Sequence, residues 1–405
     1  MNILFLTMSN LSDINNPNNR GLYIDLVREL RDKKNNVFVV SPIQKRFNKD
    51  TKYHQFGNIS VLEVKTGNLT KTPSKIERGL SLIFLQRLYL KAMKKYFRSI
   101  DFDLIIYSTP PITFSKIIRK YRKRNKAKTY LMLKDIFPQN AVDLGMLKKK
   151  GCIWRYFRRK EIELYNLSDY IGCMSEANKH YLVKHNCFVD ARKVEVFPNA
   201  IKPIDRVSEK SRDVLEKYLI PKEQCIFLYG GNLGKPQGPD FLIEVIKNFE
   251  KVNGGFLVIV GNGTEFKKIQ ETMIDSNIRK VLLLERLSKL EYDSLAASVD
   301  VGLIFLDQRF TIPNFPSRFN SLLENGLPVI AATDNVTDMG EVIVSSNCGY
   351  WSLAGEIDDF IENCNRVSMD KDLRIKMGIN SIKLLKSNYN ISNTVGIMLN
   401  HMKEV

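Results

Sequence analysis

The residues with most chemistry to offer stand in short turns that follow apolar, strand-like runs. One stretch, Asn314 to Asp334, reads NFPSRFNSLLENGLPVIAATD. Phe319, Leu322 and Leu323 fall at i, i+3 and i+4, one buried stripe of a short helix, with Arg318, Ser321, Glu324 and Asn325 on the other face. Asn325-Gly326 and the following Pro328 supply a stop, and PVIAAT reads as a buried strand. Ser317 and Arg318 therefore open a helix. A helix start, a hydroxyl and a guanidinium acting together suit a diphosphate. A capped helix with a solvated arginine is the plainer alternative.

Four more turns share this placement. FLYGGNLGKPQGPDFLIEV (227–245) runs as a strand to Tyr229, then through Gly230, Gly231, Asn232, Gly234, Lys235, Gln237 and Gly238 into an amphipathic helix. Such glycines let backbone approach an anion, and Lys235 adds a point charge. The pattern fits neither G-x-G-x-x-G nor the P-loop, which disfavours dinucleotides and Walker-type ATP use. FLVIVGNGTEFKKI (256–269) offers Gly261 and Asn262, in a connecting turn or at a base edge or backbone contact. LMLKDIFPQNAVDLGM (131–146) places Asp135 at a strand end, as a base, an orienting carboxylate or a helix cap. NPNNRGLYIDLVREL places Arg20 and Gly21 after the loop of the first strand, at the edge of the expected cleft. Asp101 and Asp103 in DFDLII mimic a D-x-D metal signature, but they precede a strand and so fall on the far rim. His54, His180, His185 and His401 are scattered, and no protein-bound metal is expected.

The elements that carry these turns alternate. Strands are read at NILFLT, NVFVVS, ISVLEV, DLIIYS, TYLMLK, YIGCMS and VEVFPN, then at CIFLYG, FLVIVG, VLLLE, VGLIFL and PVIAAT, with helical segments between. Apolar strands alternating with helices argue for an α/β protein with parallel sheets covered on both faces. The length of 405 residues argues for two such blocks, joined near FPNAIKPIDRVSEKSRD. The expectation is two doubly wound, Rossmann-like domains with their strand ends at an interdomain cleft, over 1–202 and 203–385, and a C-terminal helix over 386–405 packing back on the first.

Charge is unevenly shared. Residues 1–200 hold 38 Lys and Arg against 17 Asp and Glu, a net +21; the rest hold 24 against 27, a net −3. A polyanionic partner of the first half alone is implied, either nucleic acid or an anionic membrane, unless the lysines simply form a solvated face. Hypothesis and composition meet at TKTPSKIERGLSLIFLQRLYLKAMKKYFRS, IIRKYRKRNKAK and LKKKGCIWRYFRRK, which mix cations with apolar residues and suit shallow binding to anionic lipid, with Trp154 at the headgroup layer. No aromatic-rich RNA motif or recognition helix is present, so no nucleic acid is expected. Six scattered cysteines without a C-x-x-C fit a reducing cytoplasm, with Cys173 and Cys225 as core residues. MNILFLTM reads as a first strand rather than a signal peptide, and no run reaches the length of a membrane span.

In sequence order, YGGNLGKPQG, VGNGTEFKKI, PSRFNSLLENGLPVIA, CGYW and KMGINSIKLLKSNY resemble the retaining family-4 glycosyltransferases of the GT-B fold. In the first half, STPPITF, LKDIFPQNAVDLG, EIELYNLSDYIGCMSEANKHYL and VEVFPNAI are similar to the fucosamine-type transferases of capsule and O-antigen synthesis. The resemblance implies a UDP-linked sugar donor on the second domain. It also implies a lipid-diphosphate-linked saccharide acceptor on the first, transfer with retention, no cofactor and no obligatory metal. A peripheral place on the inner face of a bacterial membrane follows. Asn232 and Gln237 stand where many relatives carry arginine and lysine against the diphosphate, which leaves Lys235 and Arg318 to supply that charge. Ser321 stands where relatives place a ribose-binding glutamate, so the familiar E-x7-E pair is absent and Asn320 and Glu324 become the nearby candidates. Asp135 falls where relatives carry an acidic group or histidine near the reacting centre. A sugar-nucleotide epimerase of the same fold and a nucleic-acid-binding protein are the competing readings.

Overall fold

The computed structural model describes residues 1–70, 75–204, 213–275 and 278–403. Of the junction read at 197–213, residues 205–212 lie outside the described residues, as do 71–74 of the first basic segment. The chain divides into two compact units, unit 1 being Met1–Lys202 with Ile391–Val405 and unit 2 being Pro203–Asn390.

Unit 1 is built on an eight-stranded sheet, ordered β3-β4-β2-β1-β5-β6-β7-β8. Its strands are β1 (Asn2–Leu6), β2 (Asn36–Gln44), β3 (Lys52–Phe56), β4 (Ile59–Thr66), β5 (Leu104–Ser108), β6 (Lys128–Leu133), β7 (Tyr170–Cys173) and β8 (Val194–Val196). All pairs are parallel except β3 with β4, a polar edge hairpin around Gly57. That edge is absent from the strand pattern of the sequence because KYHQF is short, polar and half exposed. The crossovers carry α1 (Leu22–Asp32), α2 (Lys75–Tyr96), α3 (Ser115–Asn125), α4 (Gln139–Asp143), α5 (Cys152–Leu167) and α6 (Glu176–His185). Helix α3 is tied to its neighbours at its start: Lys116 N donates to Gln86 at 2.6 Å and Ser115 Oγ to Glu163 at 2.9 Å.

Unit 2 holds six parallel strands in the order β11-β10-β9-β12-β13-β14. They are β9 (Cys225–Asn232), β10 (Gly255–Asn262), β11 (Val281–Leu284), β12 (Val301–Phe305), β13 (Val329–Thr333) and β14 (Gly349–Leu353). Its helices are α7 (Asp213–Lys217), α8 (Pro239–Asn248), α9 (Phe266–Asp275), α10 (Lys289–Ser298), α11 (Arg318–Glu324), α12 (Met339–Ser345), α13 (Ile357–Met369) and α14 (Lys371–Asn388). Strand order reverses at β9, whose neighbours are β10 and β12, and that reversal opens a crevice beyond the strand carboxyl ends. The core beneath it packs Phe227, Phe249, Phe305 and Phe360 between sheet and helices.

The last helix, α15 (Ile391–Asn400), belongs to unit 1, where Ile391, Val395 and Met398 join the core with α1 and β1. Helix α14 stays with unit 2 through Asn388, so the chain crosses between units at Asn390. No helix among the described residues is long and apolar enough to cross a membrane.

Candidate functional site

A cavity of about 470 Å³ opens over the carboxyl ends of β9 and β10, in the size range of small-molecule sites. Gly230, Gly231 and Asn232 line it from β9, and Val260, Gly261 and Asn262 from β10. Arg286, Leu287, Lys289 and Tyr292 come from the turn after β11 and the first turns of α10, while Arg318 and Ser321 come from α11. Among the described residues, three cations and no carboxylate line this space.

The glycines serve the chain as much as any ligand. Strand β9 does not stop at Tyr229; it stays paired with β10 through Gly231↔Gly261 and Asn232↔Asn262. A Cβ on Gly261 would sit 2.0 Å from the Gly231 carbonyl oxygen, and one on Gly230 would sit 2.0 Å from Tyr292 Oη. Two strands and one tyrosine therefore close over each other only because side chains are missing.

Arg318 is held from below. Its Nη1 donates to Tyr229 Oη at 2.7 Å, and that hydroxyl donates to the Asn232 carbonyl at 3.0 Å. The guanidinium lies over Gly231, where a Cβ would come within 3.1 Å of Nη1. A fixed guanidinium with most of its N–H groups still uncommitted to this chain of bonds is a preorganised anion donor. Its charge tends to lower the pKa of Tyr292, but burial dominates and the phenol is pushed up to about 12. Lys289 pairs with Asp293 at 2.8 Å, and Arg286 is exposed with no ion pair among the described residues. A capping box between Ser288 and Glu291 fixes the start of α10 and so the place of both cations.

The remaining sequence candidates separate from this cavity. Lys235 is exposed in a single 3-10 turn, and Gln237 pairs with Asn232 at 2.9 Å to close that turn. Gly238, with φ of 56°, turns the chain into α8, and a Cβ there would crowd the Leu306 carbonyl at 3.1 Å. Ser317 is exposed and makes no capping bond, and α11 has only seven residues. Phe319, Leu322 and Leu323 form the buried stripe, but Asn320 and Glu324 are buried too, so only Arg318 and Ser321 reach the cavity. The stop at Gly326 is a Schellman motif: Leu327 N donates to Leu322 O at 3.1 Å and Gly326 N to Leu323 O at 3.0 Å. Arg286, Lys289 and Tyr292 are absent from the sequence candidates. Only the S-x-x-E capping signal marks that turn, and it announces a helix rather than a ligand.

In unit 1, Asp135 follows the carboxyl end of β6. Thr109 Oγ1 accepts from Lys134 N at 3.0 Å and Asp135 N at 3.1 Å, which fixes the backbone. Asn140 Nδ2 donates to both carboxylate oxygens, at 2.7 and 2.8 Å, so the helix-cap alternative does not hold: Pro138 occupies that position of α4. Loss of water around the carboxyl group raises its pKa to about 7, against the pull of the Ile136 N–H and the Asn140 amide. Neighbouring Lys134 is lowered to about 7 by burial and donates to the Phe197 carbonyl at 2.9 Å. Arg20 is committed to the Lys202 carbonyl, and Gly21, at the N-cap of α1, takes a φ of 150° that favours glycine. Asp103 accepts from Asn2 N at 2.7 Å and Asp101 pairs with Arg124, both at the amino end of the sheet.

Two family comparisons cover most of the chain. Residues 22–203 match Glycosyltransferase Family 4 and residues 210–384 match Glycosyl transferases group 1. The chain is 22% identical over 280 residues to "Probable glycosyltransferase WbjE" of Pseudomonas aeruginosa, covering 68% of each chain. Among solved structures it is similar to sucrose-phosphate synthase of Thermosynechococcus elongatus, with TM-score 0.74 and 15% identity over 99% of each chain. It is also similar to the Anabaena protein HepE, solved with UDP-glucose, with TM-score 0.69 and 13% identity over 100% of each chain. With a family 4 domain followed by a group 1 domain on two parallel α/β sheets, the chain is a glycosyltransferase of the GT-B fold.

Proposed function

We propose that this glycosyltransferase moves a hexosyl group, of the N-acetylated or 6-deoxy hexosamine kind, from a UDP-linked donor to a lipid-diphosphate-linked saccharide. The product is a growing surface polysaccharide such as capsule or O-antigen, and the new linkage keeps the donor's anomeric configuration. The observation that carries the reading is the unit 2 cavity, with Arg318, Arg286 and Lys289 around it and no carboxylate in its lining among the described residues. Breaking the anomeric C–O bond puts negative charge on the departing diphosphate. Fixed cations aimed at that charge stabilise the transition state more than the ground state. Ser321 and Asn262 lie at hand for ribose and base. The bound state of HepE supports a UDP-linked donor.

The acceptor belongs to unit 1 in this proposal, with Asp135 orienting its hydroxyl. In a same-face reaction the departing phosphate is itself a base, which leaves Asp135 an orienting role. The lipid-linked acceptor places the protein on the inner face of the membrane. Leu80, Ile83 and Phe84 on α2 and Ile153 and Tyr156 on α5 are exposed among lysines and arginines. Trp154 is partly buried, with its Nε1 enclosed, so Ile153 and Tyr156 rather than Trp154 are the residues of α5 that reach lipid. The test is transfer from a panel of UDP-sugars to lipid-diphosphate saccharides in anionic vesicles, with proton NMR of the product. A product whose anomeric proton keeps the donor's configuration fits; donor epimerised without transfer sinks the reading.

A further inference from the structure

A second cavity, of about 360 Å³, lies between the C-terminal ends of α2 and α3 in unit 1. Lys94, Arg98, Lys120 and Arg124 line it around Tyr121, with no carboxylate among the described residues. Tyr121 is fully buried against Phe102, with ring centroids 5.6 Å apart, and forms a rigid floor. Arg124 alone has a counter-charge, Asp101 at 3.0 Å; Lys94, Arg98 and Lys120 form no ion pair among the described residues. Helix ends favour cations by about 0.3–1 kcal/mol each, which accounts for basic residues there but not for four of them converging on a recess. Like charges so placed repel, and burial, Lys94 and Arg124 all lower the Lys120 pKa. A multiply charged anion would relieve that repulsion.

We propose that this recess binds a phosphate-bearing anion, with Lys94, Arg98, Lys120 and Arg124 as its ligands. It lies at the amino ends of β5 and β6, where α2 and α3 lead into those strands, whereas Asp135 lies beyond the carboxyl end of β6. It is thus separate from acceptor chemistry, and its place in unit 1 separates it from the cavity of Arg318. The anion has two sources, a lipid headgroup or a free phosphate compound. Both offer the same oxygens.

Lysine reactivity tests the site residue by residue, independently of catalysis. The full-length protein is acetylated under trace conditions with inorganic pyrophosphate, cardiolipin vesicles or phosphatidylcholine vesicles, and each lysine is read by peptide mass spectrometry. At about ten times the dissociation constant, labelling of Lys120 should fall to about one tenth, while exposed Lys149 and Lys247 keep their rates in pyrophosphate. The pair R98Q and R124Q should remove the protection without changing the melting temperature of the protein appreciably. Protection by pyrophosphate assigns a free ligand, and protection by cardiolipin alone, stronger than at Lys149, assigns a headgroup. Unchanged Lys120 labelling under both, or slowing no greater than at Lys149, overturns the proposal. Pyrophosphate bound in unit 2 would not register at Lys120, so this result does not depend on the donor reading.

Discussion

Asp135 is the residue whose chemistry depends most on its surroundings. Burial raises its pKa from 3.8 to about 7, and the Asn140 amide opposes that rise. The folded protein therefore holds this proton more tightly than the unfolded chain. Its contribution to stability is fully present below about pH 4 and is lost as the pH climbs through about 7. Asp135→Asn should then be more heat-resistant than the parent at pH 8, with the gap narrowing toward pH 5 in a melting series. If the carboxylate orients the acceptor, kcat/KM falls on the acid side of about pH 7. Asn140→Ala should move that limb upward by about one pH unit, since a hydrogen bond to a charged group is worth about 1.5–3 kcal/mol. A limb that stays in place would show that Asn140 does not tune Asp135.

At the scale of elements, the β9–β10 pairing decides the shape of the unit 2 cavity. Gly261→Ala brings a methyl against the Gly231 carbonyl, so the strand ends must part. The cost should be about 1–3 kcal/mol, read as a melting temperature lowered by several degrees, with nucleotide binding weakened alongside. An unchanged melting temperature would mean the strands separate freely. This pairing also explains what the sequence showed and what it hid. Apolar strands and helix stops are local signals, so twelve of the strands and the Schellman stop at Gly326 could be read directly. Asp135 and Arg318 stood out because one follows a strand and the other opens a helix, and Ser321 because it stands where similar transferases place a glutamate. The approach of Arg286, Lys289 and Tyr292 depends on strand order, β11 beside β10 beside β9, which no local pattern encodes. Lys235 and Glu324 had the right chemistry nearby in sequence, yet one exposed turn and one buried helix face take them off the cavity. Strand β14 hid for another reason: GYWSL follows a turn at Asn347, and Tyr350, Trp351 and Leu353 are only partly buried, so neither face reads as a clean apolar row.

For the whole molecule, basicity is confined to one half of the chain, at +21 against −3. Such asymmetry gives unit 1 a field that draws it to anionic surfaces and is screened by salt. Exposed Leu80, Ile83 and Phe84 precede Arg87, Lys91 and Lys94 along the exposed side of α2. Flotation with anionic vesicles should therefore depend on both charge and apolar contact. Phe84→Ser should weaken binding about tenfold, since burying a phenylalanine is worth about 1.5–3 kcal/mol, and moderate salt should weaken it further. Equal flotation with neutral vesicles would remove the electrostatic part of the account.

Everything proposed for catalysis rests on a nucleoside diphosphate seated at Arg318 over Gly231. Calorimetric titration of UDP into the parent protein and into Arg318→Ala measures that directly. A charged hydrogen-bond pair of this kind is worth about 1.5–3 kcal/mol, so the variant should bind UDP at least about tenfold more weakly while keeping its fold. Equal affinity in the two proteins, or no UDP binding by the parent, would contradict it.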